Sequence, residues 1–295
     1  MISGYTDNYK SGTGKVTIEG CGAYGGTKTF SFQIQKRNFD NVEMVLDNKE
    51  FIYSGNAIKP TITLMDINGD SVYTLIENVD YTVKYSNNIN AAKADIGSKK
   101  APTITVTGKG NYTGTFKEYF TIHPKDIDST DLAVTVKDVV FNQKKADSTT
   151  GITTTFTIKN GKTTLKNKNN YVILKYMNNK TLGEKNRYDS PTIVIEGKGN
   201  FTGTRNLEFR IYQTDISKAS VKVEKQYYTG YEVRPLPTSV TLKIGKETIT
   251  LNSKDYKISY SNNMKCGSGK ITITGIGMYG GSKTVTFKIV PKLIK

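Results

Sequence analysis

One eight-residue segment occurs four times in this chain, and it constrains the fold more than any other feature. The copies are Gly20-Cys-Gly22-Ala-Tyr24-Gly-Gly26-Thr27, Gly108-Lys-Gly110-Asn-Tyr112-Thr-Gly114-Thr115, Gly197-Lys-Gly199-Asn-Phe201-Thr-Gly203-Thr204 and Gly275-Ile-Gly277-Met-Tyr279-Gly-Gly281-Ser282. In each copy a Phe follows five positions after the last residue (Phe32, Phe120, Phe209, Phe287), and an Ile two positions later (Ile34, Ile122, Ile211, Ile289). Four gapless copies, 88, 89 and 78 residues apart by their first glycines, define a tandem repeat. Alternating apolar runs precede each copy (Val16-Thr-Ile18, Ile104-Thr-Val106, Ile193-Val-Ile195, Ile271-Thr-Ile273). Period-two runs on both sides of a Gly-rich segment predict a β-hairpin. Its glycines permit the tight reversal, and its central aromatic is expected to fold back over the turn.

Two further blocks recur. Asp80-Tyr81-Thr-Val83-Lys-Tyr85-Ser-Asn87-Asn88 returns as Asp255-Tyr256-Lys-Ile258-Ser-Tyr260-Ser-Asn262-Asn263. A looser copy runs from Asn170-Tyr171 to Tyr176-Met-Asn178-Asn179, and its extra residue between the tyrosines predicts a bulge. Alternate Tyr, Val or Ile, and Tyr form one buried strand face, and Asn-Asn marks the following turn. An opening block, Tyr53-Ser-Gly55 before Pro60, returns as Tyr228-Thr-Gly230 before Pro235 and decays to Phe141-Asn-Gln143 in between. Each repeat then holds about six or seven short strands in about 80–90 residues, with no convincing helical period, which is the pattern of a β-sandwich.

Boundaries are expected after each Phe-x-Ile, dividing the chain into a partial repeat 1–36 and full repeats 37–125, 126–214 and 215–295. Short linkers without Gly or Ser tracts predict a stiff, elongated array. Because Tyr5-Thr-Asp-Asn8 aligns with Tyr260-Ser-Asn-Asn263, residues 1–36 read as only the last strands of a repeat. The expectation is a fragment of a longer protein, or else a hairpin that completes a sheet in another chain. Lys-rich insertions at Ile89 to Ala101 and Lys180 to Pro191 fall at the same end of their repeats, where loop variation can create binding surfaces.

Together the three blocks resemble the immunoglobulin-like repeats of large secreted and wall-attached proteins of Gram-positive bacteria. The resemblance covers residues 37–295 as three repeats and 1–36 as a partial one. It implies an all-β fold of tandem immunoglobulin-like β-sandwich domains, export to the cell surface or beyond, a spacer or adhesive role, and no catalysis or cofactor. Virion and appendage proteins of phages also borrow such domains, which makes a virion surface the alternative location.

The residues that could carry chemistry point the same way. Gly108-x-Gly110-x-x-x-Gly114 superficially suggests a phosphate loop, but a strand follows where a dinucleotide site needs a helix N-terminus. His123 is the only histidine, which excludes distributed Ser-His-Asp or Cys-His catalysis, and it reads as a surface linker residue before Pro124. Asp66, Asp70, Asp80 and Asp255 read as turn or strand-start residues, and Asp66-Ile-Asn68-Gly69-Asp70 as a hairpin turn without the ligand series of a calcium loop. No catalytic, metal or cofactor residue is assigned. Cys21 and Cys266 are too few for a disulfide scaffold and read as two unpaired thiols. The Asn-x-Thr triplets at Asn111, Asn179 and Asn200 match glycosylation acceptors, but two of them belong to the repeat motif.

The net charge of +16 favours polyanions, here an anionic glycan or cell-wall polymer, over a membrane; lysines scattered over solvent-facing strand positions explain it equally. Tyrosines interleaved with lysines could stack on glycans or nucleic acid, yet most recur at fixed strand positions and read as core, so no specific nucleic acid is expected. No stretch reaches the length of a membrane span. The function expected is a non-catalytic structural or adhesive module, whose partners include neighbouring domains of the same chain. The alternatives are a glycan- or anionic-polymer-binding module and a virion decoration protein, with repeat three, the most divergent, as the first place to look for a ligand.

Overall fold

The computed structural model describes residues 1–292. The described chain is almost entirely β and divides into two compact units: Met1–Asp126 with Gly199–Thr202, and Ile127–Lys198 with the chain from Gly203 onward.

Within residues 37–125, alternation decides which face of each strand is buried. Val42–Leu46, Ile62–Asn68 and Ser71–Thr74 form one antiparallel sheet, with Ile62–Asn68 in its centre. Tyr81–Ser86, Thr103–Gly108 and Thr115–Tyr119 form a second, centred on Thr103–Gly108. Leu64 from the first sheet, Leu75 just beyond its last strand, and Tyr81, Ile104 and Val106 from the second share one buried apolar layer with Phe120 and Ile122. The opening block, Glu50–Ile52, pairs in parallel with the closing strand Thr121–His123, and Phe51 meets Phe120 edge-on at 5.7 Å.

The same plan recurs twice. Leu132–Val136, Phe156–Asn160 and Thr163–Thr164 form one sheet, and Tyr171–Met177, Thr192–Gly197 and Thr204–Glu208 the other, with Phe156 and Tyr171 in ring contact between them. In the last repeat Ser220–Lys222, Ser239–Ile244 and Glu247–Thr250 form a sheet, and Tyr256–Ser261, Gly267–Gly275 and Ser282–Val290 another, with Gln226–Tyr227 added in parallel.

The Asp-Tyr-x-x-x-Tyr-x-Asn-Asn block holds each unit together at both ends. Its first tyrosine is buried (Tyr81, Tyr171, Tyr256). Its second donates its hydroxyl to a proline carbonyl of the opening block, Tyr85 to Pro60 at 2.7 Å and Tyr260 to Pro235 at 2.8 Å. The leading Asp or Asn accepts a backbone N–H in the preceding turn, from Ile76 to Asp80, Lys166 to Asn170 and Asn252 to Asp255. The second Asn binds the opening block at two points: Ile58 N–H donates to the Asn88 carbonyl while the Asn88 amide donates to the Ile58 carbonyl. Asn179 with Ile152, and Asn263 with Val233, repeat this pair of bonds. Short polar side chains are thus kept where backbone groups need partners away from any ladder.

The bulge expected in the looser tyrosine block is present, a register shift between Ile173 and Lys175 that turns Leu174 outward. The decayed opening block is followed by a single helical turn, Gln143–Ala146, capped by the Asn142 side chain. Helical periodicity over so few residues leaves no signal to read.

Ile2–Thr6, Gly12–Glu19 and Thr27–Ile34 form a three-stranded antiparallel sheet. Its register matches that of Gly267–Gly275 with Ser282–Val290, but Tyr5, Ile18, Phe30 and Phe32 stay exposed where Phe120 and Phe287 are buried. Phe32 and Phe120 hold the same place in the repeat, so their truncations make a matched pair. Phe120→Ala should lower stability by about 3–5 kcal/mol, the range for a fully buried Phe. Phe32→Ala should lower it by about 1–2 kcal/mol, because its ring is 37 % exposed and leaves a smaller cavity. Urea unfolding followed by circular dichroism checks both, and equal losses would contradict the packing described.

Candidate interaction site

The most strictly repeated residues fasten a hairpin tip to the linker that enters its own repeat, and some of them also border open depressions: Asn111 and Tyr112 with Arg37 one of about 350 Å³, and Gly277 and Met278 with Leu182 one of about 220 Å³. Asn111, in the tip Gly108–Thr115, accepts the Arg37 N–H on its carbonyl at 2.8 Å, and Thr113 N–H donates to the Arg37 carbonyl at 2.8 Å. In the next copy Lys125 N–H donates to the Asn200 carbonyl at 2.9 Å, and Lys125–Asp126 runs parallel to Phe201–Thr202. In the last, Gln213 and Thr214 N–H groups donate to the Met278 carbonyl, and Thr214–Asp215 runs parallel to Tyr279–Gly280. The aromatic therefore lies against the incoming linker rather than folding over its own turn.

The first motif glycine makes this tip possible. A Cβ on Gly108 would sit 2.7 Å from the Thr113 nitrogen, and one on Gly275 would sit 2.7 Å from the Gly280 nitrogen. The chain crosses itself at contact distance, and any side chain there would force the tip open.

Side chains add a second layer to each fastening. The Asn111 Oδ1 accepts the Ser11 N–H at 2.9 Å, and the Asn200 Oδ1 accepts the Ala91 N–H at 2.8 Å. Ser11 and Ala91 each lie six residues beyond the second tyrosine position of the preceding repeat (Tyr5, Tyr85), so both carboxamides read the same place. Asn200 also donates to the Asn90 Oδ1, and Tyr53 meets Phe201 edge-on at 5.5 Å. At the last fastening these positions are Leu182 and Met278, and a buried arginine takes over. Arg210 donates to the carbonyls of Gly275, Gly277 and Tyr279, pairs with Glu184 at 2.8 Å, and stacks over Tyr212. A guanidinium suits this place because its fork of donors satisfies several carbonyls at once.

Asp66 corrects the sequence expectation of a turn residue. It lies inside Ile62–Asn68, only 2 % exposed, where its Oδ2 accepts the Tyr112 hydroxyl at 2.8 Å and pairs with the Arg37 Nε at 2.8 Å. The Tyr112 phenol is pushed up to about 12, first by burial and then by its bond to Asp66. Its neutral form is favoured in the folded chain, so this contribution to stability is present below pH 10.0, the ordinary value, and is lost as pH rises toward about 12.

The other singled-out residues are placed as follows. His123 is exposed on the strand Thr121–His123, not in a linker, with its Nε2 2.5 Å from Glu50 Oε2. Asn68 to Asp70 turn the hairpin between Ile62–Asn68 and Ser71–Thr74. Asp80 and Asp255 serve their turns. Cys21 and Cys266 are both exposed free thiols. Asn111 and Asn200 use their carboxamides in the fastenings, and Asn179 is buried. Among the described residues no cluster of His, Cys, Asp or Glu is placed to hold a metal, and no helix is long and apolar enough to cross a membrane.

The two Lys-rich insertions do lie at the surface. Ile96, Ser98, Lys99, Lys117 and Tyr119 border an open depression of about 310 Å³, and Tyr188 in the other insertion is fully exposed beside Arg187. Open basic surfaces of this kind meet anions through charge that salt screens.

The sequence matches no family model, and no curated protein matches it. Among solved structures it aligns with the protocadherin γB4 extracellular domain at 11 % identity and TM-score 0.22, covering 97 % of this chain and 56 % of that one. It also aligns with protocadherin γB7 EC3-6 (12 %, TM-score 0.20, 97 % and 85 % covered) and mouse cadherin-23 EC22-24 (14 %, TM-score 0.21, 88 % and 98 % covered). The chain therefore spans little more than half of the first of these, and superpositions this loose carry no argument about fold or role.

The fourth repeat supplies a natural experiment on the Asp66 site: by register, Leu242 stands where Asp66 does and Thr214 where Arg37 does. Arg37→Thr alone should cost about 3–5 kcal/mol by stranding a buried carboxylate. The double variant Arg37→Thr/Asp66→Leu should recover most of that loss. Thermal or urea unfolding of the single and double variants tests the pair, and a double variant as weak as the single one would refute it.

Proposed function

We propose that this chain is a non-catalytic structural and adhesive module of a larger exported bacterial protein. In this reading its immunoglobulin-like units form an elongated array that holds other domains away from a surface. The observation that supports it is where the repeated residues go. Asn111 and Thr113, Asn200, and Met278 and Gly280 of the last three motifs join a tip to a linker by backbone bonds.

A second reading, recognition of an anionic glycan or wall polymer, draws on the net charge of +16 and on Tyr188 beside Arg187 in the divergent third repeat. An exposed aromatic next to cationic side chains suits a sugar ring bearing acid groups.

Small-angle X-ray scattering tests the first reading. A compact globule of this length would have a radius of gyration of about 19 Å. The spacer reading expects a value well above that, decreasing or broadening when Gly275→Val opens the last tip. A compact particle would sink it. Saturable binding to an acidic polysaccharide that survives physiological salt and is lost in Tyr188→Ala would move the function to recognition.

A further inference from the structure

The outer face of the second repeat carries side chains that the repeats after it do not. Residues opposite each other on neighbouring antiparallel strands project from the same face of a sheet. Tyr81–Ser86, Thr103–Gly108 and Thr115–Tyr119 therefore present two adjoining rows outward: Ser86, Thr103 and Tyr119, and beside them Lys84, Thr105 and Lys117. By register the third repeat has Met177, Thr192 and Glu208 in the first row and Lys175, Val194 and Asn206 in the second. The fourth has Ser261, Lys270 and Thr286, then Ser259, Thr272 and Thr284. Of these three repeats, the second alone sets an aromatic ring next to a hydroxyl flanked by two lysines.

The inserted loop turns this face into a recess. Ile96 to Lys99 of the loop, with Thr105, Lys117 and Tyr119 of the sheet, line the open depression of about 310 Å³. The loop is held by bonds of its own. The Asn87 amide donates to the Lys99 and Ala101 carbonyls at 2.8 and 3.1 Å, and the Gly97 N–H donates to Asp95 Oδ1 at 2.9 Å. A wall already fixed loses little freedom when a ligand arrives. The third repeat uses the same place differently: Glu208 stands where Tyr119 does, and its Oε2 accepts the Asn186 N–H at 2.7 Å, which ties that loop to the sheet. The fourth repeat has no such loop, since the strand Gly267–Gly275 follows Asn263 almost directly.

The side chains of the recess suit a sugar that carries an acid group. Lys84, Lys99 and Lys117 are exposed and pair with no carboxylate among the described residues, so their charge is open to an anion. Lys84 and Lys117 stand about 10 Å apart across Thr105, two strand spacings. Ser86 is exposed and Thr105 half-buried. Each hydroxyl both donates and accepts, which matches the hydroxyls of a sugar better than the acceptor-only oxygens of a phosphate chain. Tyr119 offers one half-buried ring, a surface for the C–H face of a single sugar. A groove for single-stranded nucleic acid would supply several rings for successive bases, and this face has one.

We propose that this recess binds an acidic saccharide. Tyr119 packs against one sugar ring, Ser86 and Thr105 meet its hydroxyls, and Lys84 and Lys117 hold carboxylates on that ring and its neighbour. The inference rests on the recognition reading for what is bound, and it places the binding on the outer face of the second repeat instead of at Tyr188 in the third. Every group it uses lies between Lys84 and Tyr119, inside one complete repeat. Salt screens the lysine contacts but not the ring packing, so raising salt weakens binding without abolishing it.

Isothermal titration calorimetry of the full chain at physiological salt tests this with two uronate polymers of different linkage, oligogalacturonate and hyaluronan fragments. At least one should bind saturably, and more tightly than single-stranded DNA or polyglycerol phosphate of equal charge. Tyr119→Ala and the double variant Lys84→Gln/Lys117→Gln should each weaken that binding by about tenfold or more. Tyr188→Ala should leave it unchanged. Binding to neither uronate overturns the proposal, as does equal or tighter binding of the DNA or the phosphate polymer. Binding that the second-repeat variants retain overturns it too; if Tyr188→Ala then abolishes it, the recognition reading stands on the third repeat. Circular dichroism checks that the variants fold, and the exposed lysines make the double variant a readout that does not depend on the half-buried ring.

Discussion

Everything in this chain depends on a short piece of parallel backbone pairing between a hairpin tip and a linker. Three residues of linker leave one pair of sheets and must enter the next without stranding their N–H and carbonyl groups. The tip supplies partners for them: Asn111 and Thr113 for Arg37, Asn200 for Lys125, Met278 and Gly280 for Gln213 to Ile216. Because the bonds run between main-chain atoms, they specify a direction for the linker whatever its side chains are. That is why glycines, which let the tip cross itself, recur more strictly than the residues that decorate it.

Around this constant pairing the side chains vary in a correlated way. Where the tip carries Asn, the residue beneath offers a backbone N–H (Ser11, Ala91); where it carries Met278, the residue beneath is Leu182, and Arg210 binds the tip carbonyls instead. Where the linker carries Arg37, Asp66 lies under it; where the linker carries Thr214, Leu242 occupies the same register position. Each junction pairs its buried polar groups by its own route, although the Asp66 Oδ1 stays buried without a hydrogen bond. Exchanging one member of a set would leave its partner in a dry place with nothing to bond.

Much of this was legible in the residues, because hairpins, alternation and bulges are local. The strands flanking each motif, the buried tyrosine face and the bulge in the third repeat all follow from spacing along the chain. What local reading missed is set by contacts between distant segments. Asp66 sits in a run with Asn68, Gly69 and Asp70, so turn chemistry masks the fact that Arg37 and Tyr112 reach it from elsewhere. The second Asn of each Asn-Asn pair reads as a turn residue, yet its amide and carbonyl hold an irregular segment some 30 residues upstream. The motif aromatic reads as a lid on its own turn for the same reason: a hairpin seen alone offers it no other partner. Arg210 had one usable signal, a lone Arg where Thr121 stands in the repeat before, but its three carbonyl partners lie 65 to 69 residues away.

The role proposed for the chain follows from what the repeated residues do, so the joining itself is the claim to test. Amide hydrogen exchange read residue by residue addresses it directly, because the N–H groups of Arg37, Lys125 and Thr214 each donate to a tip carbonyl. The amides of Arg37, Lys125 and Thr214 should exchange as slowly as those inside the flanking strands, and opening the facing tip with Gly108→Val, Gly197→Val or Gly275→Val should speed only its own linker. Linker amides that exchange at the rate of an unprotected chain, or that ignore the tip substitutions, would contradict the account.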